Sequence, residues 1–206
     1  MDRRAFVRVG AACAGGLLLP RTMWAAQSCS QAMTPYGQVQ RCTAGIESFK
    51  FQPAQSYQHQ NEWCWAACIS MVFAYYGHAV SQERIVKEVW GRLVDMPGQP
   101  GQILSDLNRE WKDDHGGSFK SRGDSLSANN FNAVKDLQND QPLIIGTQGH
   151  AMVLTALTGD SNVQTGAWQI VEAIVRDPWP GNGGRRVLSP REWFSIGFAA
   201  RVRVEG

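Results

Sequence analysis

A cysteine is worth chemical attention when its position favours the thiolate. Cys64 stands in N-E-W-C-W-A-A-C, residues 61–68, where apolar residues begin to recur at helical spacing through Trp65, Cys68, Ile69, Val72, Phe73 and Tyr76. It therefore falls in the first turn of a predicted helix, where unpaired backbone N–H groups and the helix dipole favour an anion. Thiolate is the nucleophilic form of cysteine. Cys68 lies one turn deeper, where apolar burial keeps a thiol neutral. A nucleophilic thiol needs a base, and the chain has four histidines. His150 opens a β-branched run, A-M-V-L-T-A-L, after Gly149, which is expected to let another backbone approach. His59 is too close in sequence to fold back on Cys64, and His78 and His115 lie in polar, turn-like stretches. Asp177, in V-R-D-P-W-P-G, ends the next strand-like run. A hairpin would bring it to the same sheet edge as His150, where it can orient the imidazole. The chemistry that these residues can do is acyl transfer through a thioester.

The order Q-x5-C-W-A, G-H-A, D-P-W resembles the papain-like cysteine peptidase superfamily, in particular its compact bacterial branches, the avirulence-effector and bacteriocin-processing peptidases. The resemblance spans roughly residues 55–198. It implies a papain-like α+β fold, a Cys64–His150–Asp177 triad, and an oxyanion hole made by the Gln58 side chain and the Cys64 N–H. It also implies that Trp63, Trp65 and Trp179 lie on the substrate side, with Trp179 shielding the histidine pair from water. The expected function is peptide-bond hydrolysis on a peptide or protein substrate, without a cofactor or metal. The same triad also serves cell-wall peptide amidases and transamidases, and a catalytically silent binding protein could keep the fold. Two departures stand out. Cys64 and His150 are 86 residues apart, against roughly 130–150 in papain and the cathepsins. A bulky Trp63 also precedes the nucleophile, so subsite geometry cannot be transferred from papain.

The elements that must hold these residues follow from pattern. Helices are expected over 64–76, from Ser81 to Gly91, over 101–111 and over 127–139, the first capped by Asn61 or Glu62 and ended by Gly77. Weak strand character lies at Gln38–Arg41 and Ile46–Phe51. Stronger strands are expected at 142–148, 150–157 and 168–177, with two more at 185–189 and 199–205. Thr158–Thr165 supplies turn chemistry between two of them. Helices first and an antiparallel sheet second make an α+β layout, with the nucleophile's helix packed on the C-terminal sheet.

Composition bounds the rest. With 206 residues, 43% hydrophobic and 18% charged, the chain suits one globular domain. Residues 1–28 look like an export signal: Arg3 and Arg4 precede Phe6 and Arg8, as in a twin-arginine leader, and a short Gly- and Ala-rich stretch follows. Residues 29–206 form the expected catalytic domain, in an exported, periplasmic or secreted protein. Without the four arginines and one aspartate of the leader, the formal charge falls from +2 to about −1. No basic stripe remains for nucleic acid, and no apolar run approaches the roughly 18–20 residues of a membrane span. An exported chain can keep disulfides. Cys29–Cys42 is the natural local bridge, since Cys64 and Cys68 on one helix face are poorly placed to pair. The cysteine and histidine spacings match no zinc motif.

Overall fold

The computed structural model describes residues 28–34, 37–126, 130–161 and 168–205. Residues 1–27 of the expected export signal and the Asn162–Thr165 part of the expected turn lie outside them. Nine strands and six α-helices are present among the described residues, and the α+β expectation stands.

The strands are β1 (Ser28–Thr34), β2 (Gly37–Gly45), β3 (Glu110–Lys112), β4 (Ser118–Ser125), β5 (Leu143–Thr147), β6 (His150–Ser161), β7 (Trp168–Arg176), β8 (Arg185–Val187) and β9 (Ile196–Glu205). All pair antiparallel in one sheet. The long β6 is its axis. β7 pairs along one edge of it, and β8 extends β7. The other edge is shared: β5 pairs with residues 150–154 of β6 and β2 with 156–161. From β5 the sheet continues through β9 and β4 to β3. Cys29 and Cys42 face each other across β1 and β2 and are joined by a disulfide. A bridge closing so short a loop contributes about 3 kcal/mol in the chain-entropy account.

The helices are α1 (Ser48–Phe51), α2 (Cys64–Tyr75), α3 (Gln82–Trp90), α4 (Pro100–Asp106), α5 (Asn130–Gln138) and α6 (Pro190–Phe194). None of them is long and apolar enough to cross a membrane. The pleat of β5 and β6 divides the core between the two faces of the sheet. Ile144, Ala151 and Val153 face α2, with Trp65, Ile69, Val72 and Phe73. Leu143, Ile145, Met152 and Leu154 face the other way, with Val134 and Leu137 of α5. α2 is buried almost all round, which fixes the height and rotation of the residue at its first turn.

Three expectations are corrected. Residues 46–51 do not continue as a strand, because the chain turns into α1 and a 3-10 turn at Gln52–Ala54, with Phe51 stacked on Tyr75 at 5.1 Å between centroids. The helix expected over 101–111 stops at Asp106. Asn108 ties the next residues to Leu104 O and to Gly123 of β4, at 2.8 and 2.7 Å, so Trp111 enters the core from a strand. Neither Asn61 nor Glu62 caps α2; its N-cap is Trp63, which makes no side-chain cap bond. The first helical bond there runs from Ala67 N–H to Trp63 O at 2.9 Å, leaving the N–H groups of Cys64, Trp65 and Ala66 outside the ladder.

Candidate active site

Cys64 and His150 meet because α2 packs on β6. The Ala151 N–H donates to Cys64 Sγ at 3.4 Å, which places the thiol beside the first residues of the strand. The strand begins there for a conformational reason. Thr147 pairs with His150 across a two-residue turn, and both turn residues have positive φ, 51° at Gln148 and 79° at Gly149. That is the signature of a type I′ hairpin turn. The role expected for Gly149, close approach of another backbone, is not the one found: a Cβ there would touch nothing within 4 Å. The glycine supplies left-handed backbone instead.

His150 Nε2 bonds Asp177 Oδ1 at 2.7 Å, leaving Nδ1 for the Cys64 side. Burial works against the imidazolium, but hydrogen bonds to Asp177 and Cys64 outweigh it and push His150 up to about 9. Asp177 is fully buried. Its Oδ1 also accepts from the Trp179 N–H at 2.9 Å, while Oδ2 accepts from Asn182 Nδ2 at 2.8 Å and Arg186 Nε at 2.7 Å. Burial opposes this charge, yet the donors hold the carboxyl well below the usual range. Cys68 is different. Burial pushes its thiol well above the ordinary value, with the negative charges of Cys64 and Asp177 adding to the effect. Sequence reasoning missed Arg186 and Asn182. Only the S-P-R-E capping pattern at 189–192, which places Glu192 beside Arg186, had a local signal.

Gln58 is 7% exposed. Its backbone N–H donates to Pro178 O at 2.8 Å, tying the loop before α2 to the residues that follow Asp177. Its amide nitrogen donates to Gln60 O at 2.9 Å and Asn61 O at 2.6 Å, so both amide protons are engaged with the loop.

The two tryptophans flanking Cys64 act on a loop. Trp63 Nε1 donates to Val94 O at 2.8 Å and Trp65 Nε1 to Met96 O at 3.1 Å, while the Glu62 N–H donates to Asp95 Oδ1 at 2.8 Å. Together they strap residues 94–96 to the start of α2. Trp63, expected on the substrate side, is buried beneath this strap and does not line the cleft. Trp65 forms part of the cleft wall. Trp179 is 42% exposed and stands edge-on to His150 at 6.5 Å between ring centroids.

Cys64 and His150 open into a cleft of about 330 Å³, walled by Pro97–Pro100 on one side and by Ser195, Gly197 and Phe198 on the other. Two larger depressions, about 620 Å³ by β3 and β4 and about 710 Å³ by Tyr75 and Asp140, are lined by no cysteine or histidine. The smaller cleft is therefore where a thiol and a base can act together.

The model of the Peptidase_C39 like family matches residues 51–200. Among solved structures, a double glycine motif protease from an AMS/PCAT transporter, in complex with the leader peptide, is 21% identical, with 72% of this chain and 88% of that one covered and a TM-score of 0.43. The peptidase domain of Streptococcus ComA, a bi-functional ABC transporter involved in a quorum sensing pathway, is 16% identical, with 73% and 96% covered and a TM-score of 0.46. No curated protein matches the chain.

The strap yields a prediction. A Cβ on Gly98 would lie 2.5 Å from the Trp65 ring, so Gly98→Ala must push the loop off the indole. Of the loop's own side chains only Val94 packs against the core. The expected outcome is a kcat/KM loss of tenfold or more, with Tm lowered by only a few degrees, on the scale of about 1 kcal/mol. Peptide cleavage assayed beside thermal unfolding checks it.

Proposed function

The chain belongs to the Peptidase_C39 like family, and on that premise we propose that it is a cysteine peptidase that hydrolyses peptide bonds through Cys64, His150 and Asp177. The observation that carries the reading is the continuous run of contacts from Cys64 Sγ through His150 to a buried, fully hydrogen-bonded carboxylate at the floor of an open cleft.

His150 takes the thiol proton, and the resulting thiolate attacks the substrate carbonyl carbon. The oxyanion that develops meets the Cys64 N–H, which the uncapped start of α2 leaves outside the helical ladder. Gln58 is the second donor in this reading; to serve, its amide must release the Gln60 or Asn61 carbonyl. His150 then protonates the leaving amine, and water enters on the same imidazole to clear the thioester. Asp177 keeps the ring in the tautomer and orientation that both transfers require.

We place the enzyme outside the cytoplasm. The Cys29–Cys42 bridge suits an oxidising compartment, in keeping with the arginine pair of the leader. Replacing Arg3 and Arg4 by Lys should block export by the twin-arginine route; an unchanged periplasmic yield would assign the general secretory route instead.

The principal test is a peptide-library cleavage profile of the protein beside its cysteine variants. Cys64→Ala should abolish turnover, and Cys68→Ala should leave most of it. Equal losses in two folded variants would remove Cys64 from its role. In the active enzyme, kcat/KM should fall as pH rises through about 9, because His150 then loses the proton that it must donate.

Gln58→Ala should lower kcat by about 10²–10³, the usual effect of losing one oxyanion donor. Alkylation of Cys64 by iodoacetamide should stay within a few-fold, because the thiolate–imidazolium pair does not use that donor. If alkylation and turnover fall together, Gln58 acts by shaping the loop before α2.

A further inference from the structure

The carboxylate that orients His150 is not free to act as a full negative charge. Arg186, on β8, donates from Nε to Asp177 Oδ2 at 2.7 Å. The rest of its guanidinium is held by Glu192 of α6, Nη2 to Oε1 at 2.6 Å and Nη1 to Oε2 at 3.1 Å. Glu192 is fixed in turn by the capping box with Ser189. The order is therefore imidazole, carboxylate, guanidinium, carboxylate, built from β6, the residue after β7, β8 and α6. α6 also reaches the cleft, since Thr147 Oγ1 donates to Glu192 O at 2.7 Å and both Thr147 and Ser195 line the wall.

We propose that Arg186 is a positioning residue of this site: clamped by Glu192, its guanidinium offsets part of the charge of Asp177 and fixes the carboxylate plane, so that His150 is oriented by an anion whose field is moderated. The benefit is chemical. An uncompensated buried carboxylate binds the imidazolium proton tightly and makes His150 a poor acid for the leaving amine, whereas a catalytic group works best when its proton affinity lies near the operating pH. Arg suits the place because its planar fork can bind two carboxylates at once and remains charged. The groups that face His150 are Cys64 from α2 and Asp177 beyond β7, with Arg186 of β8 and Glu192 of α6 standing behind Asp177, and the buried Cys68 thiol stays neutral. Of these, only Arg186 carries a fixed positive charge.

The proposal rests on the peptidase reading for its purpose, but its test does not need turnover. His150 is titrated by NMR in the full chain carrying Cys64→Ala, so that no thiolate couples to it, with the ring signal assigned by its loss in His150→Gln. Removing a unit charge one carboxylate away, in a partly wet site, moves such a titration by about one pH unit. Arg186→Gln should therefore displace the His150 titration upward by about that amount, and Arg186→Lys, which keeps the charge, should leave it within a few tenths. On the Cys64 background, the basic limb of kcat/KM should move up in Arg186→Gln and stay in place in Arg186→Lys. An unchanged or lowered His150 titration in a folded Arg186→Gln protein overturns the proposal, as does an equal displacement in Arg186→Lys. A wild-type chain without turnover, but with the expected displacement in Arg186→Gln, would strike the peptidase reading and leave this one standing.

Discussion

The site depends on burying one carboxylate. Asp177 sits with no exposure to solvent, a position in which an unpaired anion would cost several kcal/mol. It is tolerated because four donors converge on its two oxygens: an imidazole, a backbone N–H, an amide and a guanidinium. Much of the local architecture can be understood as the delivery of those donors. The Pro180–Asn182 turn brings Asn182 back onto the carboxylate, β8 brings Arg186, and the hairpin of β5 and β6 brings His150. The Asp177 N–H is itself anchored to Gly184 O, so the turn closes on the residue that it serves.

The other half of the site is set by apolar packing. α2 has no amphipathic division, because the sheet lies under it and α3 and the strapped loop lie beside it. A helix buried on nearly every side has little freedom to slide or rotate, since core packing penalises even a methylene of displacement. Cys64 inherits that fixity at the one end of the helix that opens into the cleft. The flanking tryptophans extend it outward. Their apolar rings are buried, and their N–H groups, which need partners when buried, find them on the carbonyls of Val94 and Met96. A polar requirement of two core side chains thus becomes the fastening of one cleft wall.

Where the sequence was legible, a single periodicity dominated. The apolar spacing of 65–76 located α2, and the β-branched runs located β5, β6 and β7. His150 and Asp177 could be paired from strand order alone, because antiparallel neighbours bring the start of one to the end of the next. β4 was missed because S-F-K-S-R-G-D-S is mostly polar; only Phe119, Ser121 and Gly123 turn inward, and the glycine is there because Leu107 fills the space of a Cβ. β3 falls inside the helix expected over 101–111, since the tie that ends that helix comes from a strand 15 residues further on. Arg186 was illegible for the same reason. A salt bridge across separate elements leaves no spacing rule, and a basic residue in R-R-V-L-S looks like a solvated edge.

The placing of charge follows from these two kinds of constraint acting at one point. Apolar packing makes the surroundings of His150 poor in water, which by itself would drive the imidazole toward neutrality. The buried carboxylate reverses that tendency, and the guanidinium behind it limits the reversal. Each layer corrects the excess of the one before: burial against charge, Asp177 against burial, Arg186 against Asp177, Glu192 against Arg186. Solvent reaches the two outer members, with 23% of the Arg186 side chain and 22% of the Glu192 side chain exposed against none of Asp177. The series of alternating charges therefore ends where water can screen the last of them, and the chain need bury no further counter-ion to hold an ionised carboxylate behind its histidine.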